Sequence, residues 1–303
     1  MTDLTIANGN GPTIIGPSAF NDCHKLRSLI IPDSVVTIGD LAFQTCADLT
    51  NLTLGNGVTN IGKLGFAGCT SLRSVTIPDS VTTLSDSAFG GCTNLTNVVI
   101  GNGLNSINRA TFSGCTKLRS VIIPNTVTNV GALSFYRSGL TNVTLGNGVT
   151  TIGSQAFQYC PLTSITIPLS VTNIGDGAFN TCTNLTSIYF QGSAPALGGT
   201  AVFSFDPAIV YYLPGTTGWS SPFGGLPAVL WNPSLQGCGV QNDQFSFTIT
   251  GTTDIPIVLE ASTDLTNPSW TPLQSSTLTN GSINFADPDW TDFPSRYYRI
   301  RSP

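Results

Sequence analysis

Charge is what this sequence has least of. Of its 303 residues, 11 are Lys or Arg and 16 are Asp or Glu, together 9%, where an ordinary soluble domain carries roughly 25%. The net charge of −5 argues against a generic nucleic-acid binder, which needs a basic face for phosphates. No stretch of 18 apolar residues occurs, so no membrane insertion is expected. His24 is the only histidine and no Gly-x-Ser-x-Gly segment is present, which leaves a hydrolytic triad without its base. The opening MTDLTIANGNGPT has neither a basic start nor an apolar core, so an export signal is expected upstream of this chain. Solvation falls instead to neutral polar groups, with 94 residues of Thr, Ser and Asn. The charges that exist are unevenly placed. Residues 1–190 hold eight acids and eight bases, residues 191–303 eight acids and three bases, and no acid lies between Asp86 and Asp176.

Periodicity decides the fold. Phe20, Phe43, Phe66, Phe89, Phe112, Phe135, Phe157 and Phe179 recur every 22 or 23 residues, and a cysteine follows each by three except at Ser138. Within a unit such as residues 72–94, Leu72, Val75 and Ile77 alternate with Ser74 and Thr76, the pattern of a strand with one buried face. A turn follows in two alternating chemistries. Pro32, Pro78, Pro124 and Pro168 open one, and Gly55, Gly101 and Gly146 open the other as Gly-Asn-Gly. Proline fixes φ and Gly-Asn-Gly is expected to use positive φ, so the underlying unit is a pair of about 46 residues. A second short extended piece leads to D-x-A-F-x-x-C, expected as one or two helical turns. A single unit cannot bury its apolar residues alone. Eight stacked at about 4.8 Å give a solenoid roughly 38 Å long.

The pattern L-x-x-[IV]-x-[IL]-P-x-x-V-x-x-[IL]-x-x-x-A-F-x-x-C, kept in register through residues 13–190, resembles the BspA-type bacterial leucine-rich repeats. That resemblance implies a bacterial cell-surface or extracellular protein that adheres or recognises a ligand without catalysis. The fold expected is a leucine-rich-repeat solenoid, mainly β with short helical turns, followed by a small all-β sandwich-like domain. The expected division is a solenoid over 1–190, a degenerate cap over 191–232 with Trp219, Phe223 and Trp231 as its small core, a linker over 233–240, and a β-module over 241–303. Five strand-like runs in that module, with Asn280-Gly281 as a hairpin signal, suggest a small sandwich, and 241–303 resembles a C-terminal module of exported bacterial multidomain proteins.

Chemistry has few footholds. Seven cysteines share one repeat position, so their Cβ vectors run parallel and are poorly oriented for disulfides; buried free thiols are expected. A metal site would need a convergent Cys/His cluster, and no cofactor is implied. Asp287, Asp289 and Asp292 offer oxygen ligands that calcium accepts, against the simpler reading of an acidic turn. Trp270 and Trp290 are read as core. The segment 57–63 mimics a phosphate loop, but Leu64 stands where a magnesium-binding hydroxyl belongs. A repeating threonine row, Thr59, Thr82, Thr128, Thr150 and Thr172, raises lattice binding as a minor alternative.

The outward strand positions carry the functional expectation. They read Ile30, Thr53, Thr76, Val99, Ile122, Thr144, Thr166 and Tyr189, with Arg27, Arg73 and Arg119 on alternate units. Arg27, Thr53, Arg73, Thr76, Arg119, Thr144, Thr166 and Tyr189 are the candidate binding residues for a protein or glycan at a cell surface or in an extracellular matrix. The competing reading is a structural spacer, or an accessory region of a larger secreted protein whose catalytic domain, such as a hydrolase, lies elsewhere.

Overall fold

A computed structural model describes residues 2–8, 11, 13–241 and 243–301. Its contacts divide into two units, one of residues 1–210 with 217–227, the other of residues 211–216 with 228–303. The first is a β-solenoid of about nine turns. Each coil has a longer strand and a two- to four-residue second strand, both parallel to their counterparts in neighbouring coils. Asp3–Thr5 already pairs in register with Ser28–Ile31.

The D-x-A-F-x-x-C segments are not helical. They run as successive tight turns, with left-handed residues four apart such as Leu41 (φ 58°) and Thr45 (φ 54°). Alternate N–H groups close turns within the coil, as Ala42 to Gly39 O and Gln44 to Leu41 O, while those between bond the next coil, as Leu41 to Lys63 O, Phe43 to Gly65 O and Thr45 to Ala67 O. The backbone is thereby satisfied without a helix. The resulting ridge drives Phe20 through Phe179 inward as one stack, centroids 5.1–5.8 Å apart and within 14° of parallel. Phe203 continues the stack as a ninth ring, 5.7 Å from Phe179.

The alternation of turns has a steric cause. The Gly-Asn-Gly glycines do not have positive φ. A Cβ on Gly57, Gly103 or Gly148 would lie 1.7–2.0 Å from the carbonyl oxygen of Asp33, Asp79 or Asn125 in the preceding coil. Those same acid or amide side chains accept the backbone N–H of Asn56, Asn102 and Asn147 at 2.6–2.8 Å. A Pro-Asp or Pro-Asn turn and a Gly-Asn-Gly turn thus form a docked pair, and the longer strands follow suit. They hydrogen-bond as Ser28–Ile31 with Asn51–Leu54, Ser74–Ile77 with Asn97–Ile100, and Ser120–Ile122 with Asn142–Thr144. The 46-residue unit is a physical unit.

The second unit holds the C-terminal module, two antiparallel three-stranded sheets. One orders Ser234–Gln241, Gln244–Thr250 and Ser282–Asp287; the other orders Thr271–Thr277, Pro256–Ser262 and Tyr297–Arg301. The 233–240 linker is therefore corrected to an edge strand, because its backbone groups pair with Gln244–Thr250. Asn280-Gly281 makes a turn with Gly281 at φ 74°, but it joins strands of different sheets rather than a hairpin. Phe247, Ile249, Ile257, Leu259 and Leu278 are buried in this module. Trp231 belongs to this unit rather than to a capping core, donating its indole N–H to Pro256 O at 2.8 Å.

Candidate functional site

The cysteines form a structural ladder. Cys46, Cys69, Cys92, Cys115, Cys160 and Cys182 are buried and free, and each Sγ donates to the carbonyl of the phenylalanine 25 or 26 residues earlier at 3.1–3.4 Å. Ser138, in the same row, bonds Cys160 Sγ at 3.2 Å. Burial pushes the Cys46 thiol up to about 11 and those of Cys115 and Cys160 to about 12, so these thiols stay protonated and unreactive. His24, beside Cys23, uses Nδ1 on Thr45 O at 2.9 Å. Among the described residues no three His, Cys, Asp or Glu side chains converge to hold a metal.

Asp287 does not open toward calcium. It is buried, its Oδ2 accepting the Tyr298 hydroxyl at 2.8 Å and lying 2.8 Å from Arg296 Nε in an ion pair, and its Oδ1 accepting the Asp289 N–H at 3.1 Å. Trp270 and Trp290 are half-buried rather than core; Arg299 stacks over Trp270 at 4.3 Å, and Trp290 donates to Asp243 O at 3.1 Å.

Threonine has two uses around the coil. Off the strand face, hydroxyls tie coil to coil. Thr50, Thr96 and Thr141 donate to the carbonyls of Arg27, Arg73 and Arg119 at 3.0–3.1 Å, and Thr59, Thr82, Thr128, Thr150 and Thr172 donate to the preceding coil at 3.0–3.4 Å. The latter row is thus an internal ladder rather than a free hydroxyl lattice. On the strand face, Thr53, Thr76 and Thr144 are exposed, and among the described residues their hydroxyls have no protein partner. Arg27 and Arg73 are exposed, and among the described residues their guanidinium groups have no partner, while Arg119 reaches Gly139 O with Nη1 at 3.2 Å. Ile30, Val99 and Ile122 lie exposed along the same row.

The face closes at its C-terminal end. Tyr189 is corrected from an exposed candidate to a buried residue, 5% accessible. Ile188, Tyr189 and Phe190 are all buried, so both faces of Ser187–Phe190 are covered, and Trp219 and Phe223 pack on Phe190 with centroids 4.9 and 5.9 Å away. Thr166, in register with Tyr189, is half-buried. The open face therefore runs from Arg27 to Thr144.

Sequence reasoning passed over a second exposed feature, on the turn ridge. The Arg137 guanidinium lies 5.3 Å from the Tyr136 ring centroid and 5.0 Å from that of Tyr159, and the two rings meet edge-on at 5.7 Å. In the next coils Gln158 Nε2 donates to Asn180 Oδ1 at 3.1 Å, and the Thr181 hydroxyl donates to the same oxygen at 2.7 Å. The signal lay in the repeat itself. The equivalent pairs are Ala67-Gly68, Gly90-Gly91 and Ser113-Gly114 in the three preceding coils, and Asn21-Asp22 and Gln44-Thr45 in the first two.

Comparison with known proteins agrees with this architecture. The BspA-type leucine-rich repeat region matches in six copies over residues 13–139 and 105–206. A leucine-rich repeat protein from Bacteroides ovatus ATCC 8483 is similar at 27% identity, over 69% of this chain and 63% of its own, with a TM-score of 0.54. The pneumococcal vaccine antigen PcpA shares the fold at 17% identity, over 69% of this chain and 60% of its own, with a TM-score of 0.52. Each match spans less than two-thirds of the relative's length. No curated protein sequence matches the chain. With 13–206 matched, more than half its length, the chain belongs to the BspA-type leucine-rich repeat family.

Proposed function

We propose that this chain is a non-catalytic recognition or adhesion protein acting at the surface of a bacterium or outside it, with the open strand face of the solenoid as the surface that grips a protein or glycan. One observation carries the reading. Hydroxyls elsewhere on the coil bond the neighbouring backbone, whereas those of Thr53, Thr76 and Thr144 and the guanidinium groups of Arg27 and Arg73 are on exposed residues and have no partner among the described residues. A row of unengaged donors and exposed aliphatics on a stacked scaffold supplies both hydrogen bonds and contact area to an extended ligand. The family's bacterial surface leucine-rich repeat members support the setting.

The test is a binding screen of the full chain against extracellular glycans and matrix proteins, run beside an Arg27→Ala, Arg73→Ala, Arg119→Ala triple variant. The reading predicts at least one partner, bound at least tenfold more weakly by the variant. A partner held equally well by the variant removes the strand face from the account, and silence across the screen turns the solenoid into a spacer.

A further inference from the structure

We propose that Asn147-Gly148 is a self-modifying turn, where the asparagine converts to isoaspartate without an enzyme, and that the sister turns at Asn56 and Asn102 are shielded from the same reaction by the aspartates they dock on. This chemistry does not depend on what the strand face binds.

Four Asn-Gly pairs lie among the described residues, Asn56-Gly57, Asn102-Gly103, Asn147-Gly148 and Asn280-Gly281. Conversion is a covalent change of the chain's own groups. The glycine nitrogen attacks the asparagine Cγ, the bond from Cγ to the side-chain nitrogen breaks, and ammonia leaves as a five-membered succinimide closes. Water then opens one of the two ring carbonyls, giving aspartate or isoaspartate, so one water enters for each ammonia lost. Glycine favours the attack because no Cβ hinders it. The reaction therefore needs an exposed amide and a following N–H that is not already spent on an acceptor.

The structure separates the four pairs by these needs. At Asn280-Gly281 the attacking nitrogen is engaged, donating to Leu278 O at 2.9 Å. Asn56, Asn102 and Asn147 are exposed, and among the described residues the N–H groups of Gly57, Gly103 and Gly148 have no acceptor. Two of these turns are closed by the next residue instead, Val58 N–H to Gly55 O at 3.2 Å and Val149 N–H to Gly146 O at 3.1 Å. That bond places each glycine at the third position of a β-turn, whose N–H the turn does not use.

What divides the three solenoid turns is the side chain one coil back. The N–H groups of Asn56 and Asn102 donate to Asp33 and Asp79 Oδ1 at 2.6 and 2.7 Å, whereas that of Asn147 donates to Asn125 Oδ1 at 2.8 Å. The attack passes through a deprotonated nitrogen and an oxyanion, and it ends in a new carboxylate. A neighbouring carboxylate opposes negative charge at each stage, and a neutral amide does not. Asn102 is held further, its Nδ2 donating to Asp79 Oδ1 at 3.4 Å. Of the four, Asn147 alone combines an unspent nucleophile with an uncharged neighbour.

The docked geometry makes the change felt. Isoaspartate routes the main chain through the side-chain carbon and adds a methylene just ahead of residue 148. A Cβ on Gly148 would already lie 2.0 Å from Asn125 O, so the lengthened chain has no room there. Conversion parts the turn after Asn142–Thr144 from the turn after Ser120–Ile122.

The test ages the full chain in mildly alkaline buffer and locates isoaspartate by peptide mass spectrometry with isoaspartyl methyltransferase labelling. Asn147 should convert at least threefold faster than Asn56 or Asn102, and Asn280 slowest of all. Exchanging the neighbours is decisive. Asp33→Asn gives Asn56 the partner that Asn147 has and should speed its conversion at least threefold; Asn125→Asp should slow Asn147 by the same factor. Each variant recreates a pairing the wild-type solenoid already uses, so folding is retained. Amide hydrogen exchange over 124–127 and 146–149 should quicken as isoaspartate accumulates. No isoaspartate at Asn147, equal rates at Asn56, Asn102 or Asn280, rates indifferent to the exchanged neighbours, or conversion without faster exchange would each overturn the proposal.

Discussion

In the C-terminal module each interior carboxylate is gripped by arginine. Glu260 pairs with Arg299 Nη2 at 2.7 Å and Arg301 Nε at 2.6 Å, and Asp287 Oδ2 lies 2.8 Å from Arg296 Nε in an ion pair. Burial pushes the Glu260 carboxyl up, but hydrogen bonds and charge from Arg301 and Arg299 outweigh it and hold the group below its usual range. The solenoid treats its acids differently. Asp33, Asp40, Asp79 and Asp176 each accept a backbone N–H of the next coil, and among the described residues no base of 1–190 lies in an ion pair. A parallel stack has an unpaired amide to satisfy at each tight turn, and an aspartate reaching across does so. Antiparallel sheets satisfy their own amides, so the module's acids are available to arginine. The solenoid's few cations are consequently left without a carboxylate partner among the described residues, and Arg27 and Arg73 are exposed, which is what a recognition surface requires.

The comparison breaks most visibly at the ring stack. Phe112→Ala should lower the solenoid's unfolding free energy by about 3–5 kcal/mol, read by chemical denaturation, because the cavity falls between two neighbouring rings; a loss below 1 kcal/mol would show that the stack carries little of the fold. Asp206 is the solenoid's exception, an acid buried without a cation. Its Oδ1 accepts the Cys182 N–H at 2.8 Å and its Oδ2 has no partner. Burial raises its carboxyl to about 7 against the opposing pull of that hydrogen bond. The native state therefore holds the proton more tightly than the unfolded chain, near 4. Its stabilising contribution is complete below pH 4 and is lost as pH rises through 7. Asp206→Asn should stabilise by roughly 2–4 kcal/mol at pH 8 and leave stability nearly unchanged at pH 4, measured by thermal melts across that range.

Smaller effects sharpen the contrast. Gly103→Ala drives a methyl to within 2.0 Å of Asp79 O and should cost about 1–3 kcal/mol. The same change at Gly239, where nothing lies within 4 Å, should move the melting midpoint little. Glu260→Gln should cost the module roughly 1–2 kcal/mol, discounted because both arginines are partly exposed, and the loss should shrink in high salt. The solenoid's midpoint should respond least to salt, since its aspartates bond neutral amides.

Much of the solenoid was legible from Phe, Cys and alternating strand residues, because identical coils stack identical positions. What escaped depended on neighbours one coil away. Gly55 and Gly57 look like turn glycines chosen for φ, and only the adjacent Pro-Asp turn shows that they are chosen for the absence of Cβ. Phe203 follows Phe179 by 24 residues in a segment without the rest of the motif, yet it joins the stack. Tyr189 obeys the outward alternation and is buried all the same, in the last coil before the chain leaves the repeat. In the module, Asn280-Gly281 specifies a turn, but which strands it joins is set by sheet packing rather than by the dipeptide. The ridge residues were visible only as departures from the small residues of the three preceding coils, a signal that needs the coil geometry to acquire meaning.

The most direct test of the account is the salt dependence of partner binding, measured by surface plasmon resonance on immobilised extracellular polymers with the wild-type full chain and an Arg27→Ala, Arg73→Ala, Arg119→Ala, Arg137→Ala variant. If unpaired cations make this solenoid a recognition surface, a partner is found, its affinity falls as salt rises, and the variant loses both the binding and its salt dependence. No partner, or binding indifferent to salt and to the four substitutions, would contradict it.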